Sequence, residues 1–417
     1  MPPPQQAAVC GTLWKVNMNG SILALNAGSS SLKFRLYEVH GEQFSLILRG
    51  QFDGLNATPH LTVKEASGKE IADLDLVLEE NMREDMLGRI FEIIVPYTVN
   101  NPLRAVGHRV LHGGERFSAP VLLDDAVLDY LETLVPMGPL HQPANLASVK
   151  LFRKIRPDLP QVACFDTAFH VNIDERAARY PIPRRYGDKG YRRFGFHGLS
   201  YTYIAERLHQ ISDYLARKRS VVAHLGNGSS LCAMRNGKAV DTTMGMTPLG
   251  GLMMGTRSGT VDPGLVLALI ETEGLSPADL KHMLYYDSGL LGVSGISPDL
   301  RDLLASDEPH AAQAIALYVF SATREIASMA ASMEGMDALV FTAGIGENSA
   351  VIRKMICDRL AWIGVTLDEE ANQANAAIIS APESRIEVRI IPTDEEVVLA
   401  KQTAKVIGEG EHGDAAA

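Results

Sequence analysis

Two short segments of this chain carry small polar residues in nearly the same order, and each could bind a phosphate group. In residues 22–37 (ILALNAGSSSLKFRLY) and 221–234 (VVAHLGNGSSLCAM), an apolar β-rich run leads through Asn, Gly and two Ser into a second run. Glycine lets backbone N–H groups approach an anion, and the hydroxyls can donate to it. One such turn is ordinary hairpin chemistry. Two copies indicate a two-lobed phosphotransferase that holds a nucleotide between its halves.

A third glycine-rich segment lies at residues 338–348 (ALVFTAGIGEN). The apolar residues Ala338 to Phe341 predict a buried strand, and the pattern from Ser349 to Leu360 predicts a helix. A strand-to-helix corner presents free N–H groups and the positive end of a helix dipole to a nucleotide. The alternative is a close strand–helix contact without a ligand, which also requires glycine.

Phosphoryl transfer requires positive charge, and this chain has a net charge of -11. The transferred group spreads negative charge over its equatorial oxygens, so cations must be concentrated locally. Arg109 and Arg257 are both flanked by glycines, which suits a guanidinium that must approach a carboxylate or phosphate with two donors. The alternative is a structural arginine that pairs with a buried acid. The other candidate cations are His141, His197 and Lys33.

Ten motifs in one order resemble the acetokinase family, of the acetate and sugar kinase, Hsp70 and actin superfamily. The resemblance covers nearly everything from about Ser21 to about Val406. The motifs are NAGSSSLK (26–33), GHRVLHGGE (107–115), PLHQPAN (139–145), FDTAFH (165–170), RRFGFHG (192–198), HLGNGSS (224–230), GMTPLGGLMMGTRSG (245–259), SGISPDLRD (294–302), FTAGIGENS (341–349) and IPTDEE (391–396). The resemblance implies an α/β fold of two duplicated actin-like, ribonuclease H-like domains with a nucleotide cleft between them. It also implies reversible, Mg²⁺-dependent transfer of the γ-phosphoryl group of ATP to acetate in a cytoplasmic homodimer, with Mn²⁺ as a conceivable substitute.

The resemblance also assigns roles to individual residues, by matching each motif in turn. The implied catalytic residues are Arg109, Asp166, His197 and Arg257. The implied contacts to the acyl substrate are Arg109, Leu111, Leu140, His141, Phe196 and Pro248. The implied nucleotide contacts are Lys33, His224, Leu225, Gly226, Asn227, Gly228, Asp299, Leu300, Arg301, Gly344, Ile345, Gly346, Glu347 and Asn348. The implied metal residues are Asn26 and Glu395, with Glu396 the weaker candidate.

Three of these assignments keep an alternative. Asp166 could be a general base, a magnesium ligand through water, or a strand-end cap. Acetate is already ionised at neutral pH, since carboxylic acids have pKa values of about 4 to 5, so we favour a role in orienting metal-bound water and arginines. His141 could be purely structural. Asp299 and Arg301 could be a charge pair at a helix start that contacts no nucleotide.

Composition agrees with an enzyme of more than one domain. The chain has 417 residues with 46% hydrophobic content, which exceeds what one core usually supports. No basic tract favours nucleic acid, and no apolar run is long enough for a membrane span. The four cysteines are far apart, which suits reduced thiols. No histidine spacing matches a zinc site.

The expected domain organisation is discontinuous. Residues 20–167 and 392–407 are predicted to form the N-terminal domain, and residues 168–391 the C-terminal domain. Residues 1–19 and 408–417 are predicted to be a disordered extension and tail, and Met18 is a second conceivable start.

The sequence departs from the common family pattern at Leu111 (usually valine), Gln142 (asparagine) and Gly250 (glutamate). Only Leu111 is expected to contact the acyl group. Two alternative functions remain: a propionate or butyrate kinase of the same family, and an actin-like or Hsp70-like protein that binds ATP to change shape. Arg109, Arg257 and His197 could together bind a carboxylate. An actin-like or Hsp70-like protein has no need of such a site, so these residues argue against that alternative.

Overall fold

In the computed structural model, residues 18–28, 31–55, 58–76 and 82–413 are described. The first of two sheets has eight strands in the order β5-β4-β3-β2-β1-β6-β8-β7. Its strands are β1 (Asn19–Ala27), β2 (Leu32–His40), β3 (Gln43–Asp53), β4 (His60–Glu65), β5 (Glu70–Asp75), β6 (Leu103–Val110), β7 (Val121–Leu122) and β8 (Gln161–Phe165).

The second sheet has five strands in the order β11-β10-β9-β12-β13. Its strands are β9 (Arg219–Leu225), β10 (Ser229–Arg235), β11 (Lys238–Thr242), β12 (Ala338–Thr342) and β13 (Glu387–Ile390). β9 and β12 are buried almost throughout, as strands are when helices cover both faces of a sheet.

The two sheets repeat one topology. In the first, β1 pairs antiparallel with β2 and parallel with β6, and β6 pairs parallel with β8. In the second, β9 pairs antiparallel with β10 and parallel with β12, and β12 pairs parallel with β13. The expected duplication of an α/β domain is therefore confirmed, and so are the two hairpins that carry the glycine-rich turns.

Helices connect and cover the sheets. Many begin at a side chain that accepts from the first turn, such as Asp124, Asp262 and Ser276. They are α1 (Met82–Ile94), α2 (Asp125–Thr133), α3 (Gln142–Ile155), α4 (Glu175–Ala178), α5 (Arg184–Gly187), α6 (Gly198–Ile211), α7 (Asp213–Ala216), α8 (Pro263–Thr272), α9 (Pro277–Tyr286), α10 (Gly289–Ser294), α11 (Leu300–Leu304), α12 (Pro309–Ser332), α13 (Ala343–Asn348), α14 (Ala350–Asp358), α15 (Glu369–Gln373) and α16 (Glu395–Gly413). Short 3₁₀ turns cover Val95–Tyr97, Val135–Met137, Ala168–His170 and Ala361–Ile363. No helix within the described ranges is long and apolar enough to cross a membrane.

Each sheet has its own core. α12 packs on β9, β10 and β11, and its buried face joins the largest apolar cluster. α16 returns to the first sheet and packs on β1, β6 and β8. Its approach depends on Gly107, because a Cβ there would lie 2.1 Å from Oγ1 of Thr403.

The expectations for both chain ends need correction. The predicted extension 1–19 is wrong at its end, because Met18 is 2% exposed and β1 starts at Asn19. The predicted disordered tail from 408 is wrong as far as 413, because α16 continues the helical pattern to Gly413. Residues 1–17 and 414–417 lie outside the described residues.

Candidate active site

The turn between β9 and β10 opens onto an arginine and a histidine. A Cβ added at Gly228 would lie 3.2 Å from Nη2 of Arg257 and 3.4 Å from Nε2 of His197. Any side chain at this position would occupy the space in front of both donors. Glycine therefore leaves room for a small anion between the turn and these two side chains.

His197 is held in a strained conformation. It precedes α6 with φ 58° and ψ 26°, a left-handed conformation that is unfavourable for a residue with a side chain. The following N–H, of Gly198, donates to the Asp166 carbonyl at 2.9 Å, and a Cβ at Gly198 would lie 2.1 Å from that oxygen. The backbone strain is thus fixed by contacts around it, as is common at functional sites.

The surroundings of His197 favour the neutral form of its imidazole. Burial lowers its pKa well below the ordinary value, and His224 and the two arginines add to the effect. Nδ1 lies 2.8 Å from Oγ of Ser230, and the ring stacks on His224 with 4.1 Å between centroids. In the tautomer in which Nδ1 accepts from Ser230, Nε2 carries the proton and can donate to an anion near Gly228.

Arg257 is a buried cation without an acid. It is 9% exposed, and Nη1 donates to the carbonyl of Pro248 at 2.8 Å. No carboxylate among residues 18–28, 31–55, 58–76 and 82–413 pairs with it. Burial lowers its pKa to about 10, and the charge of Arg109 acts in the same direction. An uncompensated buried charge is costly, so this position is suited to an anionic ligand.

Arg109 is arranged differently. Its Nη2 lies 2.6 Å from Oδ2 of the fully buried Asp166, its Nε lies 3.0 Å from the same oxygen, and Nη1 donates to Oδ1 of Asn26 at 3.0 Å. Burial disfavours the charged form, but Asp166 and Glu395 outweigh this and raise the Arg109 pKa. Of the five guanidinium N–H groups two remain free of these bonds and can meet a substrate. Asp166 therefore fixes the orientation of the Arg109 guanidinium.

A group of carboxylates lies beside Asn26. The amide nitrogen of Asn26 donates to Glu395 and to Glu396, at 3.1 Å in each case. Glu396 also pairs with Arg35 at 3.3 Å. Burial raises the pKa of Glu395 to about 7, and the charges of Asp166 and Glu396 contribute, although Arg109 opposes them.

A divalent cation would relieve the repulsion between the carboxylates of Glu395, Glu396 and Asp166. Mg²⁺ needs few protein oxygens. Asn26 and Glu395 were both predicted as metal residues although they are far apart in the sequence. The structure brings their side chains into contact, and together they fit such an ion. The described part of the chain contains no cluster of three or more His, Cys, Asp or Glu side chains suited to a metal. Mg²⁺ needs no such cluster, because it is held mostly by water and phosphate.

The predicted acyl contacts gather at a small apolar cluster. Leu111 and Phe196 are buried there with Met244 and Met254, which the sequence analysis did not single out. Both methionines lie in or beside the segment 245–259, and that proximity was the available signal. Leu140 is half-buried and Pro248 is buried.

His141 lies near both arginines. Burial lowers its pKa to about 3, and the charges of Arg257 and Arg109 add to the effect. Its Nδ1 is buried without a hydrogen-bond partner among the described residues. A buried unpaired nitrogen is costly in a structural residue, so it favours a ligand contact for His141.

The predicted nucleotide segments meet around the second turn. A Cβ at Gly226 would lie 3.8 Å from Cβ of Ala343 and 3.9 Å from N of Gly344, so the turn abuts the corner at α13. A Cβ at Gly255 would lie 2.2 Å from Oδ1 of Asn227 and 3.1 Å from the Pro298 carbonyl. This contact brings the start of α11 to the same turn.

Several predicted nucleotide residues have other partners. Leu225 and Leu300 are buried in the apolar core, so only their backbones can face a ligand. Asp299 caps α11 and pairs with the exposed Arg301 at 2.5 Å, which matches the structural alternative. Lys33 is exposed and pairs in register with Asn26 across the first hairpin. In α13, Gly344 is exposed, Ile345 is half-buried, Gly346 is buried, and Asn348 donates to the Gly344 carbonyl at 2.8 Å.

Comparison with known proteins agrees with this geometry. The model of the acetokinase family matches residues 21–401. An acetate kinase of Rhodopseudomonas palustris is 46% identical over 398 residues, which are 94% of this chain and 100% of that protein. An acetate kinase of Rhizobium meliloti is 45% identical over 397 residues, 93% of this chain and 98% of that protein.

Solved structures show the same similarity. A propionate kinase from Francisella tularensis has a TM-score of 0.84 and 35% identity, and covers 92% of this chain and 99% of its own. The Porphyromonas gingivalis acetate kinase has a TM-score of 0.80 and 37% identity, and covers 93% of this chain and 100% of its own. The chain therefore belongs to the acetokinase family, a family of kinases that use ATP or ADP and transfer a phosphoryl group to a carboxylate.

Proposed function

We propose that this protein catalyses reversible, Mg²⁺-dependent transfer of the γ-phosphoryl group from ATP to acetate, which gives acetyl phosphate and ADP. The observation that carries the proposal is Arg257, a buried guanidinium that faces Gly228 together with His197 and has no carboxylate partner among the described residues. A protein that only binds ATP to change shape has no need of such a clamp. The sequence relatives named acetate kinase are also more similar to this chain than the propionate kinase neighbour is.

The transfer is direct and in line. A carboxylate oxygen of acetate attacks the γ-phosphorus, and the bond between phosphorus and the bridging oxygen breaks, so that ADP leaves with the electron pair. No proton has to be removed, because acetate is already ionised. Arg257 and the Nε2–H of His197 donate to the equatorial oxygens, where negative charge develops. Arg109 uses its remaining N–H groups to orient the carboxylate, and Asp166 holds Arg109 in place.

Asn26 and Glu395 would hold the metal ion, either directly or through its water molecules. When bound, Mg²⁺ supplies positive charge that neutralises the nucleotide phosphates. Because the pKa of Glu395 is raised to about 7, a bound cation would displace a proton from this carboxyl group near neutral pH.

A second copy of the chain completes the assembly, through α8. This helix has no buried residue, yet Leu265, Leu267 and Ile270 are 50%, 58% and 41% exposed and point to more than one side of it. A helix that is apolar all round is normally buried, and a dimer interface would bury it. A dimer that dissociates in Leu267→Lys, measured by analytical ultracentrifugation, would support this surface. An unchanged dimer would place the interface elsewhere.

We also propose a cytoplasmic location. Cys164, Cys232 and Cys357 are buried free thiols, which is usual in a reducing compartment.

One assay tests the proposed reaction. ADP formation from Mg·ATP is followed with no acid, with acetate and with propionate. We expect ADP formation to depend on the acid and to be faster with acetate. ADP formed at one rate regardless of acid would indicate an ATPase switch, and a clear preference for propionate would indicate the other kinase.

A further inference from the structure

The carboxylate of Glu347 joins two segments that are far apart in the sequence. Its Oε1 accepts from the backbone N–H of Ala343 at 2.7 Å and from that of Thr393 at 3.0 Å. The side chain is half-buried and turns back on its own helix, α13. Motif matching predicts that Glu347 contacts the nucleotide, but both of these bonds are to the protein backbone.

One end of this connection is the nucleotide corner. Ala343 opens α13 with φ 65°, a left-handed conformation that an alanine adopts only when neighbouring contacts impose it. The bond from its N–H to Glu347 is such a contact. Ala343 and Gly344 also lie against the phosphate turn at Gly226. The segment that Glu347 holds therefore lies beside the turn at which the nucleotide phosphates are proposed to bind.

The other end is the segment that carries the metal residue. Thr393 precedes Glu395, the first residue of α16, by two positions. Oγ1 of Thr393 donates to Oγ of Ser200 at 2.9 Å, and that oxygen lies 2.9 Å from Nδ1 of His224. The position of Thr393 thus affects both Glu395 and the histidine stacked on His197.

We propose that Glu347 is a positioning residue that couples the nucleotide corner to Glu395. It places the Glu395 carboxylate for the metal only when residues 343–348 are seated on the nucleotide, and it does so through the N–H of Thr393. This inference rests on the proposed function, since it requires a nucleotide at the turn and a divalent cation at Glu395. The coupling is mechanical: the two backbone bonds transmit it, and Glu347 contacts neither ligand.

The test measures thermal stability rather than activity. For each variant the melting temperature is recorded with ADP plus EDTA and with ADP plus Mg²⁺, and the difference is the metal increment. Glu347→Ala removes both backbone bonds and a longer one, at 3.5 Å, from Oγ1 of Thr342, and Glu347→Gln keeps an oxygen that can accept all of them. Asn348→Ala is the matched control, because the bond that its amide makes among the described residues is to the Gly344 carbonyl in the same corner. Glu395→Gln removes the charged carboxylate through which Glu347 is proposed to change the metal increment.

We expect Glu347→Ala to lose more than half of the metal increment and Glu347→Gln to keep most of it. Asn348→Ala should weaken the effect of ADP but keep the increment that Mg²⁺ adds. The double variant Glu347→Ala with Glu395→Gln should lose no more than Glu395→Gln alone, since both changes act on one carboxylate. A low melting temperature of Glu347→Ala without ligand would be a separate effect, because each variant serves as its own reference.

Three results would overturn the coupling. They are additive losses in the double variant, an equal loss in Asn348→Ala, and a metal increment that survives in Glu347→Ala. Failure of the proposed function has a different signature, since it would appear as ADP formation that does not depend on acetate in the unaltered protein. The increment would still report whether Glu347 and Glu395 are coupled.

Discussion

The two glycine-rich turns occupy equivalent hairpins of the duplicated sheets, yet their surroundings have opposite charge. Asn26, at the end of β1, donates to Glu395 and Glu396 and accepts from Arg109. Gly228, at the equivalent turn after β9, faces Arg257 and His197, and the described part of the chain places no carboxylate in an ion pair with Arg257. The surroundings of the first turn therefore favour a cation, and those of the second turn favour an anion. The two copies share their strand pairing, and they differ in the side chains that surround each turn.

The serines of the second turn show the same specialisation. Oγ of Ser229 donates to the Gly226 carbonyl at 2.9 Å, and Ser230 lies against His197 and Tyr201. The sequence suggested that these hydroxyls can donate to an anion, and in the structure they bond to the turn itself and to the side chains of His197 and Tyr201. The corresponding residues of the first turn, 29 and 30, lie outside the described residues.

The largest expected effect separates arginines that serve the reaction from one that does not. Arg257→Ala and Arg109→Ala should each lower kcat/KM by about 10² to 10³, because each removes a donor to the reacting groups. Arg156→Ala is the matched control, since this arginine pairs with Asp158 on the surface at 2.9 Å. Steady-state kinetics with acetate measure the effect. Retention of more than roughly a tenth of the activity, a loss below about 1.4 kcal/mol, would contradict the assigned role.

Stability should distinguish the same two arginines. Arg109→Ala leaves Asp166 buried without its partner, and we expect a loss of about 2 to 3 kcal/mol, somewhat less than for a fully buried pair. Arg257→Ala removes an unpaired buried charge, and the ligand-free protein should be as stable as before or more so. Urea unfolding without ligands measures both values. A comparable loss in Arg257→Ala would mean that its bond to Pro248 is structurally important.

Glu395→Gln should change how stability depends on pH. The pKa of Glu395 is raised to about 7 in the folded protein, above its unfolded value near 4.5, so the folded state binds more protons between these limits. Stability should therefore fall as pH rises through this window, and Glu395→Gln should remove that fall. Melting curves in EDTA at pH 5 and pH 8 test this, with the variant more stable only at pH 8.

The same substitution should weaken the response to Mg²⁺, by about 10- to 100-fold if the carboxylate orients the ion. A melting difference between the variant and the unaltered protein that is the same at both pH values would exclude a raised pKa as its cause.

The smallest expected effect concerns the acyl group. Leu111 packs with Phe196, Met244 and Met254, and Leu111→Ala should enlarge the space for a longer acid. One methylene is worth about 1 to 3 kcal/mol in an apolar pocket, so the change is at most roughly 10- to 200-fold. We expect kcat/KM for propionate to rise relative to acetate. An unchanged ratio would show that Leu111 does not line the acyl pocket.

Some of this architecture follows from short-range chemistry in the sequence. The hairpins, β12 and α12 were predictable because turn glycines and apolar periodicity are local signals. Glycine-flanked Arg109 and Arg257 were also recognisable as candidates. Sequence reasoning did not find Met244 and Met254, because apolar residues in a motif look alike until they are packed.

Contacts between segments that are distant in the sequence could not be predicted from local sequence patterns. The bond between Asn26 and Glu395 spans 369 positions, and it exists only because α16 returns to the first sheet. The role of Glu347 likewise depends on Thr393, which no spacing rule connects to it. Asp299 and Arg301 show the opposite case, since their ion pair is local and could be expected from the sequence.

The return of α16 to the first sheet sets the order in which the molecule can be completed during synthesis. β8 ends at Phe165, and α16 begins at Glu395, roughly 230 residues later. At about 5 to 20 residues per second, the ribosome needs roughly 10 to 50 seconds to supply that helix. During this time the apolar side chains of Ile22, Ala24 and Val162, which α16 covers in the finished protein, have no permanent cover. The second domain can finish folding first, and the domain synthesised first is completed last.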